Sequence, residues 1–195
     1  MIVRSAGLQA CRVVVVQAFR LAFRLGICWC HDVITKRPRR LDGFPYVGYQ
    51  RYFLTTCTAF RRPLFTQPVL VSSVVDQLMH TADHFEFAVL AYVLMPDHAH
   101  VLAEAESEGS DFPAFVKRFK QTTGYTYRQH TGQPLWQHGY HERVLRDDEV
   151  TEIVVRYILE NPVRAHLSTE LGEYPFAGSS KYDLEALKTA WDRQT

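Results

Sequence analysis

The stretch EFAVLAYVLMPDHAHVLAEAE, residues 86 to 106, constrains this chain more than any other. Residues 86–95 are apolar after Glu86 and include β-branched and aromatic side chains, which reads as a strand. Pro96-Asp97 is a turn signal, and HAHVLAEAE follows as a second strand. Two strands joined so tightly pair as an antiparallel hairpin. In a strand, alternate residues share a face. His98, His100, Leu102 and Glu104 therefore lie on one side, and Ala99, Val101 and Ala103 on the other. Small apolar residues suit a face covered by helices, so both histidines are expected on the open face of a sheet.

The flanking segments supply the rest of that sheet. YQRYFLTTCTAF (49–60) reads as a strand, and PVLVSSVVDQLMHTADHF as a helix with Val71, Val74, Val75 and Leu78 at helical spacing. FPAFVKRFKQTTGYTYRQHTG predicts a second helix whose stripe is Phe112, Phe115, Val116 and Phe119, with Gly124 or Gly132 as its stop. HERVLR (141–146) reads as a fourth strand. Asp147-Asp148 would cap a third helix running to Asn161, where Pro162 ends it. The order β-α-β-β-α-β-α predicts an α+β fold: a ferredoxin-like antiparallel sheet with an added C-terminal helix, one sheet face covered by two helices.

The chain has 195 residues, enough for one well-buried domain. Residues 1–35 read as an extension outside it, with Val33 a candidate first residue; 36–182 form the domain and 183–195 a tail. The apolar stretch CRVVVVQAFRLAFRLGICWC is broken by Arg12, Arg20 and Arg24, so it makes a poor membrane span. Four scattered cysteines fit a reducing cytoplasm, and Cys28-Trp29-Cys30-His31 lacks the second ligand pair of a closed zinc site.

Charge is segregated along the chain. Residues 36–62 hold seven Lys/Arg against Asp42 alone, residues 63–116 hold eight acids and no Lys or Arg, and 117–146 hold six Lys/Arg against Glu142. Such blocks make either solvated helix faces or a basic surface able to neutralise phosphates.

Histidines at i and i+2 in a strand lie roughly 7 Å apart along it, and their rings can converge on one divalent ion. Glu104 is roughly 13 Å from His100 by strand rise, too far for the same ion. A third donor must come from elsewhere, and VVRYILENPVRAHL offers one. Tyr157 and Asn161 are i and i+4, so they project from one helix face. An amide oxygen on Asn161 suits Mg²⁺ or Mn²⁺, with Glu160 as the rival donor. A tyrosine beside a metal-held phosphate is a candidate nucleophile, although its phenol, with a pKa of about 10, needs a nearby cation. The alternative reading makes Tyr157 a core residue and Asn161-Pro162 a helix stop. His130, His138 and His141 read as surface or DNA-contacting residues rather than ligands.

Together these residues resemble the single-tyrosine HUH transposases, and most closely the REP-associated tyrosine transposases, over residues 37 to 182. RPRRLDGFPYVGYQRYFLTTCTAF, YVLMPDHAHVLAE, LWQHGYHERVLRDDE, YILENPVRAHL and YPFAGSS carry the likeness in order. The resemblance implies a divalent ion, Mg²⁺ or Mn²⁺, held by His98, His100 and Asn161, and a 5′-phosphotyrosine formed on Tyr157. It implies single-stranded DNA beside a hairpin of the repetitive palindromic type as substrate. Arg37, Arg39, Arg40, Arg51, Lys117, Arg118, Lys120, Arg128 and Arg143 would hold its backbone, and Tyr125, Tyr127, Trp136 and Tyr140 could stack bases or pack in the core. Family members often carry His two residues after the tyrosine, where this chain has Leu159. The sequence is compatible with a monomer or a homodimer. The competing readings are a hairpin-binding module without turnover, another HUH nuclease such as a replication initiator or relaxase, and a metal phosphoesterase that leaves Tyr157 unused.

Overall fold

β1 (Arg51–Cys57), β2 (Phe87–Met95), β3 (His98–Ala105), β4 (His141–Leu145) and the short β5 (Ala177–Gly178) form one antiparallel sheet in the order β4-β1-β3-β2-β5. Between and after them run α1 (Pro68–His84), α2 (Phe112–Thr131), α3 (Asp148–Leu159), the single turn α4 (Asn161–Arg164) and α5 (Leu184–Asp192). The computed structural model describes residues 43–145 and 148–192. The predicted cap at Asp147, the N-terminal extension, the Cys28–His31 cluster and the basic residues Arg37, Arg39 and Arg40 lie outside them. Among the described residues no helix is long and apolar enough to cross a membrane.

Local chemistry sets the element ends. α2 starts at Asp111, whose carboxylate accepts the Ala114 backbone N–H at 2.9 Å, and stops at Gly132, held at φ +70°. Gly124, the other candidate stop, is inside the helix. The predicted end of the third helix needs correction: α3 closes at Leu159, and Pro162 sits in the first turn of α4 rather than terminating a helix. Proline is tolerated there because first-turn N–H groups have no intrahelical partner.

One sheet face follows the alternation read from sequence. Tyr52, Leu54, Ala99, Val101 and Ala103 are buried with Val71, Val74 and Leu78 of α1 and Phe112, Phe115 and Phe119 of α2. The Tyr52 and Phe112 rings stack at 4.0 Å between centroids. The small residues of β3 let this aromatic layer approach the sheet closely.

The other face departs from expectation. It is not open: α3 packs across β2 and β3, burying Val154, Val155, Ile158 and Leu159. His98 keeps 5% of its surface exposed and His100 none. The reason is legible in β2, whose unbroken apolar run implies burial on both sides. A bulge between Val89 and Ala91 shifts its register against β3.

Beyond α4 the chain returns along the free edge of β2, which blunts an otherwise exposed strand edge. Leu94 N–H donates to the Phe176 carbonyl, Ser180 N–H to that of Val89, and the Tyr174 hydroxyl to that of Leu94. A Cβ on Gly178 would come within 2.6 Å of the Tyr92 hydroxyl and 2.8 Å of its ring carbons. Gly178→Ala is therefore expected to cost about 1–3 kcal/mol, read as a lower denaturation midpoint; an unchanged midpoint would show that Tyr92 moves aside freely. The segment read as a tail contributes α5. Its buried Trp191 donates to Glu152 at 3.0 Å and lies beneath the Arg156 guanidinium, tying α5 to α3.

Candidate active site

The pairing of β1 with β3 sets Thr55 opposite His100 and Cys57 opposite His98. Both imidazoles project to the α3 side, their ring centroids 4.8 Å apart. Each is held through its Nδ1. His98 Nδ1 lies 2.6 Å from Asp97 Oδ1, and His100 Nδ1 lies 2.8 Å from Thr55 Oγ1. A carboxylate on Nδ1 fixes the tautomer and leaves Nε2 as the coordinating nitrogen. The Phe53 ring stacks on His100 at 5.2 Å and sets its plane.

Asp97 links this pair to the loop after β1. Its second oxygen is 3.1 Å from Arg61 Nε, and its carbonyl accepts from the Thr58 N–H and hydroxyl. Burial by itself would raise the Asp97 pKa. The hydrogen bond and charge of His98, together with Arg61, outweigh it and hold the carboxyl below its ordinary value.

α3 brings Tyr157 onto the same side. Its ring centroid is 6.0 Å from that of His100 and 6.1 Å from that of Phe53, the latter edge to face. The Arg164 guanidinium lies 4.4 Å from the Tyr157 ring centroid and donates to the Tyr157 carbonyl at 2.8 Å. Asn161, 7% exposed, donates its side-chain amide to the same carbonyl at 3.1 Å, which leaves its oxygen as the remaining acceptor. Glu160, the rival donor, is engaged by Arg156 at 2.6 Å and Arg164 at 3.6 Å.

Two imidazoles oriented through Nδ1 are a donor pair suited to a divalent ion. Among the described residues no group of three His, Cys, Asp or Glu side chains gathers to complete it. The buried Asn161 amide oxygen is a hard donor of a different kind.

The residues expected to meet DNA divide. Lys117, Arg118, Arg128 and Arg143 are exposed. Arg143 pairs opposite Phe53 and so shares the sheet face of the histidines. Two others are turned to internal work. Arg51 donates to Thr151 Oγ1 at 2.5 Å and pairs with Glu104 at 3.5 Å, joining the sheet to α3. Lys120 donates to the Gln137 and Gly139 carbonyls, and burial pushes its amine down to about 8. Of the aromatic candidates, Tyr125 is 67% exposed, whereas Tyr127, Trp136 and Tyr140 pack against the core. Trp136 also donates to Thr123 at 2.8 Å.

Sequence reasoning missed Asp97, Thr55, Phe53, Arg61 and Arg164 as parts of this site. Asp97 carried a usable signal, an acid directly before the first histidine. Thr55 and Phe53 did not, since only strand register brings them to His100.

An antiparallel sheet thus carries the paired histidines on β3, and α3 sets Tyr157 beside them. The chain belongs to the family described as "Transposase IS200 like", whose model matches residues 47–161. It is 24% identical over 108 residues to a Haemophilus influenzae protein bearing the name REP-associated tyrosine transposase. That match covers 50% of this chain and 61% of the relative's length. Its fold is that of a solved REP-associated tyrosine transposase bound to a REP hairpin, with a TM-score of 0.60 at 21% identity. The superposition covers 73% of this chain and 82% of the other.

Proposed function

We propose that this chain nicks and rejoins single-stranded DNA beside a hairpin, with Tyr157 as nucleophile. The observation that carries the reading is the placement of Tyr157 against His100, on the sheet face where His98 and His100 converge. A catalytic phenol and a phosphate-binding centre have to share one space, and here two distant segments of chain supply it.

His98 and His100 would hold a divalent ion, Mg²⁺ or Mn²⁺, with the Asn161 oxygen as the third protein donor. Such an ion, when bound, polarises the scissile phosphate and offsets charge on its oxygens. Tyr157 Oη attacks phosphorus in line, the bond to the 3′ oxygen breaks, and the phenol proton ends on that oxygen. The products are a 5′-phosphotyrosine and a free 3′-hydroxyl. An incoming 3′-hydroxyl reverses the step and joins strands, because the phosphodiester energy is retained. The Arg164 cation over the Tyr157 ring favours the phenolate as it develops. Asp97 and Thr55 keep the imidazoles in place. Among the described residues, exposed Lys117, Arg118, Arg128 and Arg143 would contact the DNA backbone.

Incubation with labelled single-stranded hairpin oligonucleotides and Mg²⁺ or Mn²⁺ is expected to give a denaturant-stable protein–DNA adduct. Binding without any adduct would favour a hairpin-binding module of the same fold. Leu159 supports keeping that second reading, since it is buried at the position where the family resemblance implies a histidine. Cleavage without an adduct would point to a phosphoesterase.

A further inference from the structure

Immediately after β1 the chain makes a 3-10 turn, Ala59–Arg61, that holds two consecutive bulky residues in the left-handed region: Phe60 at φ +59° and Arg61 at φ +56°. Such backbone costs about 1–3 kcal/mol per residue and persists only where neighbours over-determine it. They do so here. Thr58 donates its hydroxyl to the Arg62 and Asp97 carbonyls, Ala59 N–H donates to Leu135, and Arg62 reaches the Pro134 carbonyl at 3.0 Å. The whole effort presents Phe60 with 81% of its surface in solvent. Folding gains nothing from it: a glycine would accept the same backbone without strain, and the ring buries almost no area.

The turn is also wired to the site. Arg61 pairs with Asp97, and Asp97 with His98. The turn's own side chains are basic: the Arg62 guanidinium lies 5.9 Å from the Phe60 ring centroid. An exposed ring with a cation beside it fits a base and its phosphate better than an apolar peptide.

We propose that Phe60 is a stacking platform for an unpaired base of the strand entering the active site, with Arg62 meeting an adjacent phosphate. This rests on the reading of the chain as acting on single-stranded DNA. The test is fluorescence anisotropy with two probes, a hairpin oligonucleotide carrying single-stranded flanks and the same stem without them. Phe60→Ala is expected to weaken binding of the flanked hairpin by roughly 5- to 150-fold and to leave the bare stem unchanged. Phe60→Trp should keep the affinity, and its fluorescence should fall when the flanked probe binds. Phe60→Gly should bind as weakly as the alanine variant while melting about 2–4 °C higher, because strain is relieved. Wild-type affinity of Phe60→Ala for the flanked probe would overturn the stacking role alone, as would an equal loss for both probes. Failure of the unaltered chain to bind either probe would bring down the DNA reading and the platform together.

Discussion

Tyr157→Phe is expected to abolish the covalent adduct, lowering strand cleavage by about 10⁴-fold or more, while fold and hairpin affinity stay within about twofold of the unaltered chain. The substitution removes one oxygen and keeps the ring. The contacts that place the ring remain available: Phe53 edge to face, His100 at 6.0 Å and Arg164 at 4.4 Å. The melting transition should accordingly shift by less than about 1 kcal/mol in stability. Gel analysis of denatured reactions reads the adduct, and anisotropy reads the affinity. An adduct that survives would move the nucleophile to another residue. Loss of affinity alongside the adduct would make Tyr157 a binding residue instead. Arg164 provides an internal comparison. Its guanidinium lies over the ring and forms no bond in the reaction, so Arg164→Gln should slow adduct formation without eliminating it.

The hairpin of β2 and β3 and the side to which the histidines point were legible because strand period is fixed by backbone geometry. The aromatic layer of α2 was legible for the same kind of reason, with Phe112, Phe115 and Phe119 at helical spacing. What covers the histidines was not. Sequence left open that Tyr157 is a core residue, but apolar neighbours on a helix say only that a face is buried, not against what. The inward turn of Arg51 and Lys120 was hidden by their charge. Long basic side chains can bury their stems and find internal acceptors, and Glu104, Thr151 and two carbonyls of the 137–139 loop are brought to them only by folding. Likewise β5 rests on two residues, Ala177 and Gly178, too few for any pattern. The family motifs singled out the two histidines and the tyrosine, and strand register then set Thr55 and Phe53 beside His100.

Asp97→Ala is expected to lower Mn²⁺ affinity about 10- to 100-fold, the usual cost of removing a partner that orients a metal-binding histidine. The carboxylate holds His98 Nδ1 at 2.6 Å and is itself steadied by Arg61 at 3.1 Å. Without it, the imidazole loses both its fixed tautomer and its fixed plane. Asp97→Asn keeps an acceptor oxygen but not the charge, so its loss should be smaller. Thr55→Val removes the neutral partner of His100 and should resemble the asparagine variant, because a hydroxyl gives a weaker hydrogen bond than a carboxylate. Thr58 binds the backbone carbonyl of residue 97, so the turn survives every one of these changes. Titration calorimetry with Mn²⁺ on the full chain gives the affinities, and adduct formation at saturating Mn²⁺ separates two roles for Asp97. If the carboxylate only positions His98, excess metal restores most of the activity. If instead Asp97 acts on the DNA or on the phenol, metal affinity holds near that of the unaltered chain and saturation rescues nothing.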